Sequence, residues 1–144
     1  MKKLILISLM VAVAAGSFAK KPVNKLVPQK LPKNIEFSTG FHAFCKDLAM
    51  ESQGLKSLSE YMPSNQMQSQ YAFTTMPDGK TGIEGFIQIN PAFFDAYNFE
   101  QLGGYLIYVS EGLYSYKMPV EVIFKMLKIK GLVQVDIPEK RIKK

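Results

Sequence analysis

Apolar residues recur along this chain first with a helical period and then with a strand period, and the switches mark its elements. Phe41, Phe44, Cys45 and Leu48 stand at i, i+3, i+4 and i+7, one stripe of an amphipathic helix that Ser38 or Thr39 can N-cap. Leu55, Leu58 and Met62 extend that stripe past Gly54, so the helix is expected over residues 38–62, ending at Pro63. The polar, Gln- and Ser-rich stretch 62–70 predicts a loop. Residues 70–75 and 81–89 flank Met76-Pro77-Asp78-Gly79, a turn sequence, and predict a hairpin whose second strand carries Ile83, Gly85, Ile87 and Ile89 on one face. Asn90-Pro91 then reads as a helix start, with Phe93, Phe94, Tyr97 and Leu102 along one side and Gly103-Gly104 as its stop. Residues 105–109 form an apolar strand, turned by Ser110-Glu111-Gly112 into a second strand over 113–118. Pro119 opens a further helix striped by Val120, Ile123, Met126 and Leu127, Gly131 closes it, and 132–137 is the last strand.

From Thr81 the expected order is therefore strand, helix, strand, strand, helix, strand. That is the βαββαβ order of the ferredoxin-like α+β fold, in which an antiparallel sheet carries two helices on one face and leaves the other face free. The strand over 70–75 would add to an edge, giving a domain over 70–138, and the helix over 38–62 would pack on it to enlarge a small core. Pro22, Pro28 and Pro32 among Lys, Asn and Gln predict an extended basic linker over 20–37, and 139–144 is a basic tail.

The first nineteen residues read as a secretory signal: Lys2-Lys3, an apolar run over 4–15 and Ser17-Phe18-Ala19 as a small-x-small cleavage site. The apolar run is too short to cross a bilayer, so a periplasmic or secreted chain without stable membrane insertion is expected. Composition narrows the function. A length of 144 residues with 47% hydrophobic and 21% charged side chains fits one globular domain and excludes wholesale disorder, and one Cys excludes an internal disulfide. One His and one Cys cannot supply a zinc site, and neither metal nor cofactor is expected. The formal charge of +6 is concentrated in the termini, whereas residues 34–139 hold seven Lys against twelve Asp and Glu, a net charge of −5. Nucleic acid is consequently not an expected partner.

The sharper chemical readings are weak. His42 and Cys45 at i and i+3 have the minimal spacing of a nucleophile pair, but Cys45 lies in the apolar stripe, where a thiol is buried and inert. The carboxylates include no closely spaced pair of the hydrolytic kind. Tyr105, Tyr108, Tyr114 and Tyr116 lack the basic motif of base-stacking RNA readers. Tyr114 and Tyr116 form a protein-binding patch if they lie on the open sheet face, and core if they face the helices.

The segments Gly82-Ile83-Glu84-Gly85-Phe86-Ile87-Gln88-Ile89, Leu102-Gly103-Gly104-Tyr105, Met118-Pro119-Val120 and Ile129-Lys130-Gly131-Leu132-Val133-Gln134-Val135 together resemble the N-terminal propeptide-like domain of exported bacterial subtilisin-like serine peptidases. The resemblance covers residues 80–138, 59 of 144. It implies a non-catalytic protein that docks its sheet on a subtilisin-like peptidase, assists its folding or inhibits it, and lays the chain after the last strand through the cleft. The residues so implied are Val135, Asp136, Ile137, Pro138, Glu139, Lys140 and Arg141, with Tyr114 and Tyr116 on the sheet. No Asp, His and Ser motifs of a peptidase domain are present, so the resemblance implies action in trans; a partner- or ligand-binding module without inhibitory action is the alternative. The signal reading makes one prediction: protein recovered from its native host begins at Lys20 by intact mass, and a cytoplasmic chain beginning at Met1 would overturn it.

Overall fold

The computed structural model describes residues 25–140; the expected signal peptide and Arg141 lie outside the described residues. Their fold is α+β, built on one six-stranded mixed sheet. In chain order the elements are β1 (Glu36–Phe37), α1 (Thr39–Glu51), α2 (Asn65–Gln70), β2 (Phe73–Thr75), β3 (Thr81–Ile89), α3 (Ala96–Gln101), β4 (Tyr105–Ser110), β5 (Leu113–Pro119) and β6 (Leu132–Asp136). Single 3-10 turns occupy Leu58–Glu60, Val120–Val122 and Met126–Lys128.

The sheet runs β1-β6-β3-β5-β4, with β2 also paired to β3. β3 is central. One side pairs with β5 from Gly82↔Pro119 to Gln88↔Leu113, while the other is shared between β2, opposite Thr81 to Ile83, and β6, opposite Phe86 to Ile89. All of these pairs, and β4 with β5, are antiparallel; β1 alone runs parallel to its neighbour β6. The hairpin expected at residues 76–79 forms, closed by Met76 N–H donating to Lys80 O at 2.7 Å and by Gly79 at φ 90°.

The longest helix follows its sequence signals. Ser38 Oγ accepts from Phe41 N–H at 3.0 Å, and Phe41, Phe44 and Leu48 are fully buried. It ends at Glu51 rather than running to residue 62: Ser52 leaves the helical conformation as its C-cap while its N–H still reaches Leu48 O, and Gly54 takes φ 90°, which no helix continues through. Gly40 lets the first turn of α1 lie against the main chain after β6, where a Cβ would collide with Ile137 O.

Several expected elements are replaced. The helix over 119–131 is absent: Val120, Ile123 and Met126 are buried as expected, but their spacing of three suits stacked 3-10 turns, and the β-branched Val120, Val122 and Ile123 disfavour an α-helix. The helix expected from Asn90 begins only at Ala96, capped by Asp95 Oδ1 accepting from Asn98 N–H at 3.1 Å. Before it, Asn90 N–H and Asp95 N–H donate to Gly131 O and Lys130 O, ladder-like bonds that hold 90–95 as a turn. One short helix and two 3-10 turns thus stand where two full helices were expected.

The stretch expected as a loop contains α2, capped by Ser64 Oγ and buried at Met67. Within the described part of the expected linker, Val27 and Ile35 are buried and Glu36–Phe37 joins the sheet. The strand expected over 70–75 begins at Phe73 and takes the first half of β3 instead of adding beyond an edge.

The core lies between one sheet face and α1, α2, α3 and the 3-10 turns, and Ile87 and Ile123 are both inside it. Replacing either by Asp buries an unpaired charge, costing several kcal/mol of a stability of about 5–15 kcal/mol, and thermal melts should show loss of the cooperative transition. Gly40→Ala should cost about 1–3 kcal/mol by overpacking in denaturant titration, and a wild-type melt would contradict the packing of α1 on residue 137.

Candidate functional site

Register assigns each strand residue to a face. Ile83, Gly85 and Ile87 oppose Met118, Tyr116 and Tyr114, and Tyr116 and Tyr114 oppose Leu106 and Tyr108, so these residues share the covered face. Phe99 of α3 packs edge-on against Tyr116 at 6.2 Å between ring centroids, and Phe94 stacks on Tyr114 at 6.4 Å. Tyr116 is buried, and Tyr114 is half-buried. Of the two alternatives the sequence left open for these tyrosines, the register gives the second: they belong to the helix side, not to the open face that a docking patch would need. Their strand already announced this, because Ser115 and Lys117 alternate with them and are the polar, outward set.

The open face consists of the alternate residues in three cross-strand rows. Tyr105, Lys117 and Glu84 form the first, Ile107, Ser115, Phe86 and Asp136 the second, and Leu113, Gln88 and Gln134 the third. Phe86 is 39% exposed, Tyr105 48% and Ile107 54%. A shallow depression of about 320 Å³ lies over Phe86, Gln88, Leu113, Gln134 and Asp136. Apolar groups on an open surface with a polar surround match the chemistry of a protein-docking face, and the depression is too open to enclose a small molecule. Phe86, Tyr105, Ile107 and Leu113 were missed in the sequence. The signal was present: Glu84, Phe86 and Gln88 are the outward set of β3, and one of them is a large aromatic.

The segment expected to enter a protease cleft divides in two. Val135 and Ile137 are fully buried, so neither side chain is presented at the surface, and both are corrected from binding residues to core. Val135 sits opposite Ile87 on the covered face, and Ile137 follows the same alternation. Asp136 faces outward and its carbonyl accepts from Tyr116 Oη at 3.4 Å. Pro138 is half-buried and Glu139 exposed. Lys140 is held by two bonds, its N–H donating to Gln70 O at 2.7 Å and its Nζ to Gln68 O at 3.1 Å.

Other chemistry-bearing groups do not converge. Among the described residues no three His, Cys, Asp or Glu side chains are placed to hold a metal ion, and no helix is long and apolar enough to cross a membrane. His42 is exposed, whereas burial pushes the Cys45 thiol up to about 12, the opposite direction from an activated nucleophile. Two carboxylates of α1 are structural acceptors: Tyr71 Oη donates to Asp47 Oδ2 and Tyr61 Oη to Glu51 Oε1, each at 2.7 Å. Burial, followed by these bonds, raises both phenols above their ordinary range.

Cys45 should resist thiol reagents in native protein and label stoichiometrically in denaturant; rapid native labelling would contradict its burial. Its raised thiol also sets a pH dependence. The contribution is complete below the unfolded value near 9 and is lost as pH rises towards the folded value of about 12, because the unfolded chain releases the proton first. The phenols of Tyr61 and Tyr71 act in the same sense, so denaturant midpoints should fall progressively above pH 9, and Cys45→Ala should flatten the first part of that fall. No family model, no curated protein and no solved structure matches this chain.

Proposed function

We propose that this chain is an exported, non-catalytic protein-binding module of ferredoxin-like strand order that docks through the open face of its sheet on a subtilisin-like serine peptidase, in the manner of a propeptide acting in trans. The observation that carries the reading is the run β6-β3-β5-β4, antiparallel at every step, with helical elements confined to one face and Phe86, Tyr105 and Ile107 exposed on the other. In the ferredoxin-like order the two outer strands are the second and the last of the βαββαβ unit, and here they are β4 and β6. β1 and β2 are additions around that unit. The resemblance noted in the sequence supplies the partner class, and the open face supplies the surface for it.

The burial of Val135 and Ile137 limits any chain laid in a cleft to the residues from Pro138 onward. The hold on Lys140 by Gln70 and Gln68 favours a second reading, a module that captures its partner on the sheet face without obstructing a cleft. Titration of residues 20–144 against a panel of subtilisin-like peptidases separates the two. Inhibition that Phe86→Asp weakens tenfold or more, about 1.4 kcal/mol, with Met50→Asp on α1 as an unaffected control and both melts unchanged, supports the propeptide-like reading. Binding without inhibition supports the second reading. No binding to any peptidase of the panel excludes both as stated.

A further inference from the structure

β4 ends the sheet on one side, and its outer edge has no partner strand among the described residues. The opposite edge is guarded: β1 is two residues long, begins with Glu36 and follows Pro32 and Lys33. β4 has no such device over its first four residues. The sequence Tyr105-Leu106-Ile107-Tyr108-Val109-Ser110 contains no charge, no proline and no glycine. Four of the ten exposed large hydrophobic residues of the described chain lie in this one strand: Tyr105 and Ile107 on the open face, Tyr108 on the other, and Val109 at the irregularity in pairing with β5.

We infer that β4 is a self-association edge, pairing antiparallel with β4 of a second copy about a two-fold axis near Ile107 and Tyr108. Charge selects the occupant. An uncharged strand offers no opposite sign to recruit a charged segment, while an antiparallel copy brings uncharged residues against uncharged residues and repels nowhere along the strand. It also sets Glu111, just beyond the C-terminal end of β4, towards the end of the partner strand that lies beside Lys117. The pairing satisfies the free main-chain groups of both edges and continues one sheet across the two copies. The exposed parts of Tyr105, Ile107, Tyr108 and Val109 amount to roughly 400 Å² per copy, or about 800 Å² in total, below the ~1,200 Å² of a stable interface. The dimer is therefore weak and concentration-dependent. This inference does not rest on peptidase binding, and its test contains no peptidase.

Sedimentation velocity of residues 20–144 from about 5 to 500 µM should show the weight-average mass rising from one chain towards two. Ile107→Lys and Tyr105→Lys, both at exposed positions, should weaken association at least tenfold while far-UV dichroism and the melting transition stay those of wild type. Phe86→Asp, on the open face but away from the edge, should associate as wild type. A single-chain mass throughout the range overturns the proposal. So does association that survives both lysine variants, and so does association abolished by Phe86→Asp alone, which would move the interface to the sheet face.

Discussion

One side chain laid across one glycine ties the sheet together. The ring of Tyr116 on β5 lies over Gly85 of β3, and its hydroxyl reaches the Asp136 carbonyl on β6. Any Cβ at Gly85 would collide with that carbonyl oxygen and crowd the phenol. Three strands thus meet at one part-buried contact that only a glycine permits, and burial pushes the Tyr116 phenol upward. Phe99 of α3 then packs on the same ring, so the position of α3, and with it the path of β4, follows from the orientation of Tyr116.

The covered face is completed by residues that precede β3. α1 lies close to residue 137 through Gly40, and Phe44 meets Tyr71 edge-on at 5.2 Å. The two tyrosines at 61 and 71 bury their rings and spend their hydroxyls on Glu51 and Asp47. This clamps the irregular stretch between α1 and β2 onto the helix. Crossover elements as short as α3 and two 3-10 turns cannot cover a sheet face alone, and the N-terminal segment supplies the missing apolar surface. Among the described residues the other face stays open, with Phe86, Tyr105 and Ile107 exposed.

What was legible in the sequence was period and punctuation. The two-residue alternation of β3 and of β5, the turn at Pro77-Asp78-Gly79 and the cap at Ser38 all carried through, because each depends on neighbours a few residues away. The succession of strands along the chain from residue 81 onward was readable for the same reason. What failed depends on distant partners: the turn at 90–95 is fixed by bonds to residues 130 and 131, and β1 exists because β6 offers it an edge. α2 was hidden because only Met67 of its six residues is buried, leaving no stripe to see. The open-face residues could have been read from the outward set of each strand, but the tyrosines drew attention to the inward set. Val135 and Ile137 alternate with Gln134 and Asp136, and that alternation already placed them inside.

The end of the described chain links stability to the proposed activity. β2 and β6 share one side of β3, and the residues after β6 run back past the end of α2, where Lys140 bonds to Gln70 and Gln68. A peptidase that drew residues 138–141 into its cleft would have to break both bonds, at about 1 kcal/mol each, before gaining any main-chain contact of its own. Ile137 fixes the limit of that opening, since its fully buried side chain cannot follow without leaving a cavity in the core. An occupant of the sheet face meets no such cost, because Phe86, Tyr105 and Ile107 are exposed already. In the proposed complex, docking on the face would therefore precede any capture of the tail, which could add to binding only after the face held the partner in place.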